Sequence, residues 1–224
     1  MALGQRVLLV SPISVAGRLC TIWRDAGFFA AIWFSFARIV AGFFAGFAAG
    51  VVLAMLAGRF SVLETIFLPY LLTVKSVPVA SFIVIALLWL SSAELSVFIS
   101  FLMVLPIVYN NVLAGIRNVD PKMTEMAQVF HLSFPRRLSY IWLPQIKPYL
   151  LSACATSIGL AWKSGIAAEV IALPALSVGR NLYDAKIYLE RADLFAWTLT
   201  VILLSMALEA LLRGAMGRLK GAQV

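Results

Sequence analysis

Residues 39–58 read IVAGFFAGFAAGVVLAMLAG, an apolar run without a single charged side chain. About 20 apolar residues in an α-helix are enough to cross the hydrocarbon core of a bilayer, so this run predicts a membrane span. Small residues recur at every fourth position, which places them on one face of the helix and lets a second helix approach closely. They are Gly42, Gly46, Gly50, Ala54 and Gly58. We therefore expect this face to be used for helix packing.

The composition of the chain agrees with a membrane protein and argues against other classes. Hydrophobic residues account for 62% and charged residues for 12% of the 224 residues, and the mean hydropathy is +0.98. Because soluble domains are only about 45–50% apolar, a soluble fold of this length has no way to bury so much apolar surface. The basic residues that give the net charge of +8 are scattered between apolar runs. They do not form the continuous patch typical of nucleic-acid-binding proteins, so no nucleic-acid partner is expected.

Further apolar segments predict an all-α membrane protein with about five transmembrane helices. Besides residues 39–58, the predicted spans are residues 66–90, 95–116, 149–173 and 194–212. The span at residues 66–90 contains Pro69 and Pro78. Because proline interrupts helical hydrogen bonding, this span is expected to be broken or kinked near its middle.

The distribution of basic residues predicts the orientation in the membrane. The segment 117–147 and the tail after residue 213 are rich in Lys and Arg, which cytoplasmic loops retain, so both are expected to be cytoplasmic. An odd number of spans then places the N-terminus outside, and Arg6, Arg18 and Arg24 count against that placement. The predicted organisation is an N-terminal interfacial segment (1–27), a transmembrane domain (28–213) and a basic cytoplasmic tail (214–224).

The cytoplasmic segment 117–147 contains a predicted amphipathic helix. Asp120 suits the N-cap position and Pro121 the first helical position, where no backbone donor is needed. The apolar residues that follow at helical spacing are Met123, Met126, Ala127 and Phe130. We expect this apolar face to dock in a groove on a partner; the alternative is that it packs on the chain's own helix ends or on the bilayer surface. A second helix is expected from Ser133 to Pro144.

Charged residues within the predicted spans are candidates for a translocation pathway, because a charge in the bilayer needs water or a partner. Lys75 and Ser76 lie beside the break expected at Pro78, where a snorkelling lysine is the alternative. Lys163 and Glu169 are six residues apart, so on one helix they point in roughly opposite directions and are not expected to pair. For these two, contact with an adjacent helix is the alternative to a pathway role.

The predicted amphipathic helix resembles the cytoplasmic EAA loop of binding-protein-dependent ABC importer permeases. That family has the pattern Glu-Ala-Ala, three residues, Gly, nine residues, then Ile-x-Leu-Pro. The residues that match are Glu125, Ala127, Ile141, Leu143 and Pro144. Met126 replaces the first Ala, and His131 stands where the family has Gly. Because Gly enters the left-handed backbone region more readily than His, this departure bears on the local geometry of the loop.

The resemblance extends over nearly the whole chain and is strongest to the nitrate, sulfonate and taurine branch, through residues 76–78, 161–169 and 179–198. It implies a permease subunit in the cell membrane, with a type I importer-like bundle and a cytoplasmic coupling helix. The implied partners are two ATPase subunits that bind ATP and magnesium, a second permease subunit that is identical or similar, and an extracytoplasmic substrate-binding protein. Contact with the ATPase is assigned to Asp120, Met123, Glu125, Met126, Ala127, Phe130 and His131.

The chain does not contain the parts of an enzyme. No Gly-x-x-x-x-Gly-Lys-Ser/Thr motif occurs, so ATP is expected to bind to a partner chain and no cofactor to this one. A single histidine and scattered carboxylates do not supply metal or acid–base chemistry. Two alternatives to an importer permease remain at this point. One is an ion-coupled secondary transporter that uses the intramembrane charges, and the other is a membrane scaffold subunit without its own pathway.

Overall fold

The computed structural model describes residues 10–221, with side chains described as far as residue 214. Within this part of the chain all regular elements are helical. The α-helices are α1 (Pro12–Leu19), α2 (Phe28–Arg59), α3 (Ser61–Ser76), α4 (Val79–Ala86), α5 (Ser92–Arg117), α6 (Pro121–Val129), α7 (Phe134–Arg137), α8 (Leu143–Ala172), α9 (Val178–Ile187) and α10 (Arg191–Gly221). A 3-10 turn covers Ile22–Arg24, and a π turn, Leu138–Trp142, joins α7 to α8. The all-α fold class predicted from the sequence is confirmed.

Helices α2 and α5 run side by side in the same direction, and glycines allow their close contact. A Cβ atom placed on Gly42 would lie only 2.3 Å from the carbonyl oxygen of Val97. One turn further along, a Cβ atom on Gly46 would lie 2.7 Å from the carbonyl oxygen of Phe101. Both distances are shorter than van der Waals contact, so a larger side chain would push the helices apart. The small-residue face of α2 is therefore the surface against α5.

Helix α8 packs antiparallel to α5 and is central to the bundle. The hydroxyl of Ser100 donates a hydrogen bond to the carbonyl oxygen of Ala161 at 3.2 Å, and Gly115 lies against the ring of Tyr149. On its other side α8 contacts α10, where Trp162 Nε1 donates to the carbonyl oxygen of Val201 at 3.2 Å. The long helices of the bundle are thus α2, α5, α8 and α10, and the bent pair α3 and α4 connects α2 to α5.

The second predicted span is bent at the expected place. Helices α3 and α4 meet at an angle of 103° around Val77 and Pro78. The last helical hydrogen bond of α3 runs from Val77 N–H to the carbonyl oxygen of Thr73 at 3.0 Å. Pro78 has no N–H with which to continue this series. The pair is either one broken span or a re-entrant loop.

Three helices of the described part are long and apolar enough to cross a membrane: α2, α5 and residues 191–214 of α10. The bent pair of α3 and α4 would make a fourth. Helix α8 has sufficient length, but Lys163 and Glu169 lower its hydropathy, and it does not meet the same criterion. The count of about five spans therefore stays a prediction. It is supported by the position of α8 between α5 and α10 and not by its own apolarity.

The helix directions bring basic side chains to one end of the bundle, here named the basic end. It comprises the C-terminal turns of α2 and α5, helices α6 and α7, the first turns of α8 and the part of α10 around Arg213. Its basic residues are Arg59, Arg117, Lys122, Arg136, Arg137, Lys147 and Arg213. The opposite end holds α1 and α9. There Arg18 of α1 bonds to Asp193 of α10 and to Asp25, and these hydrogen bonds raise the pKa of Arg18 above its ordinary value.

Two predicted boundaries differ from the structure. The second helix of the segment 117–147 was expected to end at Pro144, but α7 stops at Arg137 and the π turn leads directly into α8. Pro144 lies at the start of α8, and because it has no N–H it cannot continue the helical hydrogen bonding of the preceding π turn. Helix α10 runs to Gly221, across the boundary predicted at residue 213.

Candidate functional site

Helix α6 is held at the basic end by bonds at its N-terminus. The carboxylate of Asp120 accepts a hydrogen bond from the N–H of Lys122 at 2.8 Å, which is the N-cap geometry predicted from the sequence. The N–H of Asp120 itself donates to Oε1 of Gln145 at 2.8 Å. Since Gln145 lies in the first turn of α8, this hydrogen bond joins α6 directly to a central helix of the bundle.

The C-terminus of α6 is closed by His131 in the left-handed conformation, with φ of 49°. The N–H of His131 donates to the carbonyl oxygen of Gln128 at 3.0 Å, and that of Leu132 to Ala127 at 2.9 Å. This pair of bonds is the Schellman motif, in which glycine usually occupies the left-handed position. His131 thus adopts the left-handed backbone that glycine enters most readily, and the helix ends in the same way as it would with glycine at this position.

The exposed surface of α6 differs from the predicted face at two positions. Met123, Met126 and Phe130 are exposed, the last to 70% of its surface. Ala127 is fully buried, so its expected place on the docking face is wrong: it packs against the chain itself. Val129 is 74% exposed and was missed, although its spacing of three residues from Met126 would have indicated it. Glu125 is also exposed.

A cavity of about 340 Å³ lies between α3 and α5. Its polar lining residues are Glu64, Lys75, Tyr109, Asn110, Arg117 and Asn118. An ion pair between Glu64 and Arg117 joins the two helices at the basic end. Lys75 faces this cavity, whereas the hydroxyl of the neighbouring Ser76 is exposed and donates to the carbonyl oxygen of Leu72 at 2.8 Å. The structure therefore places Lys75, whose side chain is exposed, beside a partly polar cavity between α3 and α5.

Glu169 is completely buried and joins three helices. Its Oε2 accepts hydrogen bonds from Oγ of Ser35 at 2.6 Å and from the N–H of Gly179 at 3.3 Å. Oγ of Ser35 in turn accepts from the N–H of Val178 at 3.0 Å. Nη1 of Arg38 lies 3.8 Å from Oε1 of the carboxylate. The carboxylate of Glu169 thereby joins the end of α8 to α2 and to the first turn of α9. This placement indicates a structural role.

Lys163 is exposed on α8 while Glu169 is buried, so the two side chains do not pair, as their spacing predicts. The partners of Glu169 were missed by sequence reasoning. Ser35 is 134 residues away, and no local pattern marks it or Arg38 as a neighbour of α8. A pathway role for Lys163 stays a prediction.

The chain is similar to transport proteins of known name along most of its length. It is 27% identical to SsuC of Bacillus subtilis, an aliphatic sulfonates transport permease by name, over 84% of this chain and 68% of the relative. It is 25% identical to the taurine transport system permease protein TauC of Escherichia coli, over 95% of this chain and 79% of the relative. It is 28% identical to the nitrate import permease protein NrtB of Synechocystis, over 72% of this chain and 58% of the relative.

The fold and the family are both shown by comparison. The crystal structure of an amino acid ABC transporter with histidines superimposes with a TM-score of 0.70, covering 96% of this chain and 100% of the other, at 13% identity. At that identity the match shows the fold. Residues 38–220 match the family described as the inner membrane component of binding-protein-dependent transport systems. The chain belongs to this family and is a permease subunit of an ABC importer, which decides against the secondary-transporter and scaffold alternatives.

Proposed function

We propose that this permease, paired with a second copy of itself, forms the translocation pathway for a small anionic or zwitterionic solute and is coupled through α6 to a separate ATPase. The family implies both an ATPase that uses ATP and a substrate-binding protein as partners. In the proposed assembly two ATPase subunits bind ATP and magnesium, and an extracytoplasmic binding protein delivers the solute. The observation that best supports this proposal is the exposed apolar surface of α6.

One side of α6 is fixed to the permease and the other has no partner within the described chain. Ala127 is buried against the bundle, while Met126 and Phe130 face outward. Burying the side chain of Phe130 alone is worth about 1.5–3 kcal/mol, so a partner with an apolar groove would gain substantially by docking there. Methionine side chains adapt to a groove that changes shape, and Glu125 at the edge is suited to a basic group of the ATPase.

The basic end is proposed to be cytoplasmic, which places α6 where ATP is available. Short cytoplasmic connections retain Lys and Arg, and the segment 117–147 that contains α6 holds five of them: Arg117, Lys122, Arg136, Arg137 and Lys147. The C-terminal part of α10 then lies on the same side. In this orientation α1 and α9 lie towards the substrate-binding protein.

Cross-linking between α6 and the ATPase tests the coupling proposal in the assembled transporter. A Met126→Cys permease is expected to cross-link to a cysteine in the docking groove of the ATPase, whereas Lys186→Cys, on α9 at the opposite end, is not. Glu125→Lys is expected to lower ATP-driven uptake about tenfold or more through like-charge repulsion, with normal insertion. The coupling assignment would be abandoned if Glu125→Lys and Phe130→Ala both left uptake intact.

The proposed substrate class follows from the relatives and from one cavity. The named substrates of SsuC, TauC and NrtB, which are aliphatic sulfonates, taurine and nitrate, share an oxyanion group. The cavity between α3 and α5 offers Lys75, Tyr109 and Asn110 as a cation and hydrogen-bonding groups. A positive charge beside a polar space favours an anionic group, so we assign the cavity to the pathway.

Replacement of Lys75 by methionine is expected to lower uptake about tenfold at unchanged permease abundance, which corresponds to about 1.4 kcal/mol in the rate-limiting barrier. The matched control is Lys75→Arg, which keeps a positive charge beside the cavity and is expected to retain uptake. In a background without Cys20 and Cys154, a Ser76→Cys variant is expected to react with a small water-soluble thiol reagent. Protection of this cysteine in every nucleotide state would show that the break between α3 and α4 does not line a wet pathway.

A further inference from the structure

A second cavity, apolar and of about 360 Å³, opens at the basic end between α2, α5 and the start of α8. Its apolar wall includes Val51, Met55, Ile116, Leu138, Ile146 and Leu150. Two arginines, Arg59 and Arg137, line its edge. The cavity has no part in the docking surface of α6 or in the polar space beside Lys75. Its occupant is therefore a separate question.

Polar donors at this cavity have no acceptor of their own. Nε of Arg137 and Nε1 of Trp142 are both buried and make no hydrogen bond. Among the residues whose side chains are described, no carboxylate lies within ion-pair distance of Arg137 or of Arg59. A buried donor without an acceptor costs free energy, and a charged donor more than a neutral one. The site thus has two arginines, of which Arg59 is exposed, and one indole N–H, and the described chain supplies no acceptor for the buried donors.

The backbone that shapes this cavity is itself unusual. Leu138 and Trp142, the first and last residues of the π turn, both line the cavity. A π turn contains one residue more than an α-helical turn, and such turns are frequent at functional sites. Here the wider turn between α7 and α8 places an apolar side chain and an indole donor on the same wall.

We propose that this cavity binds one anionic phospholipid of the membrane leaflet at the basic end. The phosphate accepts hydrogen bonds from Arg59, Arg137 and Trp142, and one acyl chain lies along the apolar wall. From Arg59 to Val51 the helix rises about 12 Å, a length suited to the upper part of an acyl chain. A free phosphate would leave this wall empty, and a neutral lipid would leave two arginines without a counter-charge.

Native mass spectrometry of the full chain, purified with equal amounts of phosphatidylglycerol and phosphatidylcholine of the same acyl chains, tests this proposal. Phosphatidylglycerol is expected to be retained preferentially. Arg137→Gln is expected to lower its retention about fivefold, the effect of one basic residue at an anionic lipid surface. Arg136→Gln is the matched control, because Arg136 is the exposed neighbour on α7 and does not line the cavity.

A second variant and a soluble competitor distinguish a bound lipid from a free phosphate. The second variant also keeps the test valid if Arg137→Gln fails to fold. Arg59→Gln is expected to weaken retention of phosphatidylglycerol in the same way, and soluble glycerol 3-phosphate is expected not to displace the lipid. Equal retention of both lipids, equal effects of Arg136→Gln and Arg137→Gln, or displacement by glycerol 3-phosphate would each overturn the proposal. A disulfide between Leu138→Cys residues of two copies in the bilayer would assign the cavity to a protein interface and overturn it as well.

Discussion

Replacement of Gly42 by leucine is expected to abolish accumulation of folded permease in the membrane. A Cβ atom on Gly42 would lie 2.3 Å from the carbonyl oxygen of Val97 and 2.8 Å from Cβ of Ser100. No change of rotamer relieves a clash with backbone, so α2 and α5 would have to separate. Extra methylenes in a packed core cost about 1–3 kcal/mol, and leucine adds four carbon atoms against a total stability of about 5–15 kcal/mol.

The effect is expected to depend on what each glycine contacts. Gly214→Leu is the matched control, because a Cβ atom there has no neighbour within 4 Å. Gly58→Ala is expected to be tolerated better than Gly42→Ala, since its nearest contact is a side-chain methyl group of Ile116 at 3.0 Å and not backbone. Both comparisons are made by measuring the abundance of each variant in the membrane and its resistance to detergent-induced unfolding. Normal abundance and stability of Gly42→Leu would contradict the packing described for α2 and α5.

The spacing of the glycines predicted a packing face but not its partner. Residues four apart share a helix face whatever the fold, so Gly42, Gly46 and Gly50 were identifiable from the sequence alone. That the partner is α5, aligned in the same direction, depends on contacts between residues about 55 positions apart, such as Gly42 with Val97. Only the folded bundle determines which helix fills that face.

Helix α6 shows which features of the candidate site neighbouring residues predict and which they do not. The capping bond of Asp120 involves neighbouring residues, so it was predictable. The burial of Ala127 was not, because helical periodicity defines a face without showing which edge of it meets the bundle. His131 takes the left-handed backbone at the position where glycine is typical, since the hydrogen bonds that close α6 stabilise it.

From the sequence, Glu169 is a candidate for the pathway with contact to an adjacent helix as the alternative, and the structure supplies partners on α2 and α9. The hydropathy of α8 is low because of residues such as Glu169 and Lys163, yet α8 packs at the centre of the bundle. A buried carboxylate is tolerated there because Ser35 and Gly179 donate hydrogen bonds to it and Arg38 lies nearby. Its partners on α2 and α9 are distant in sequence, so periodicity within α8 does not reveal them.

Replacement of Glu169 by alanine is expected to destabilise the permease by about 3–5 kcal/mol, the usual cost of removing one partner of a buried ion pair. Without the carboxylate, Arg38 loses its counter-charge, and the donors on Ser35 and Gly179 lose their acceptor. Glu169→Gln is expected to cost less, because the amide oxygen still accepts a hydrogen bond from Ser35. The helices α2, α8 and α9 would remain joined in that variant, although more weakly.

Reversible unfolding in mixed detergent micelles measures these differences, with Glu190→Ala as the control because Glu190 is an exposed carboxylate at the same end of the bundle. A structural role predicts that Glu169→Gln protein, once folded, takes up solute at the normal rate per molecule. A pathway role predicts reduced uptake with unchanged stability, and this result would contradict the assignment made here. Equal stability of Glu169→Ala and Glu190→Ala would likewise show that the carboxylate does not hold α2, α8 and α9 together.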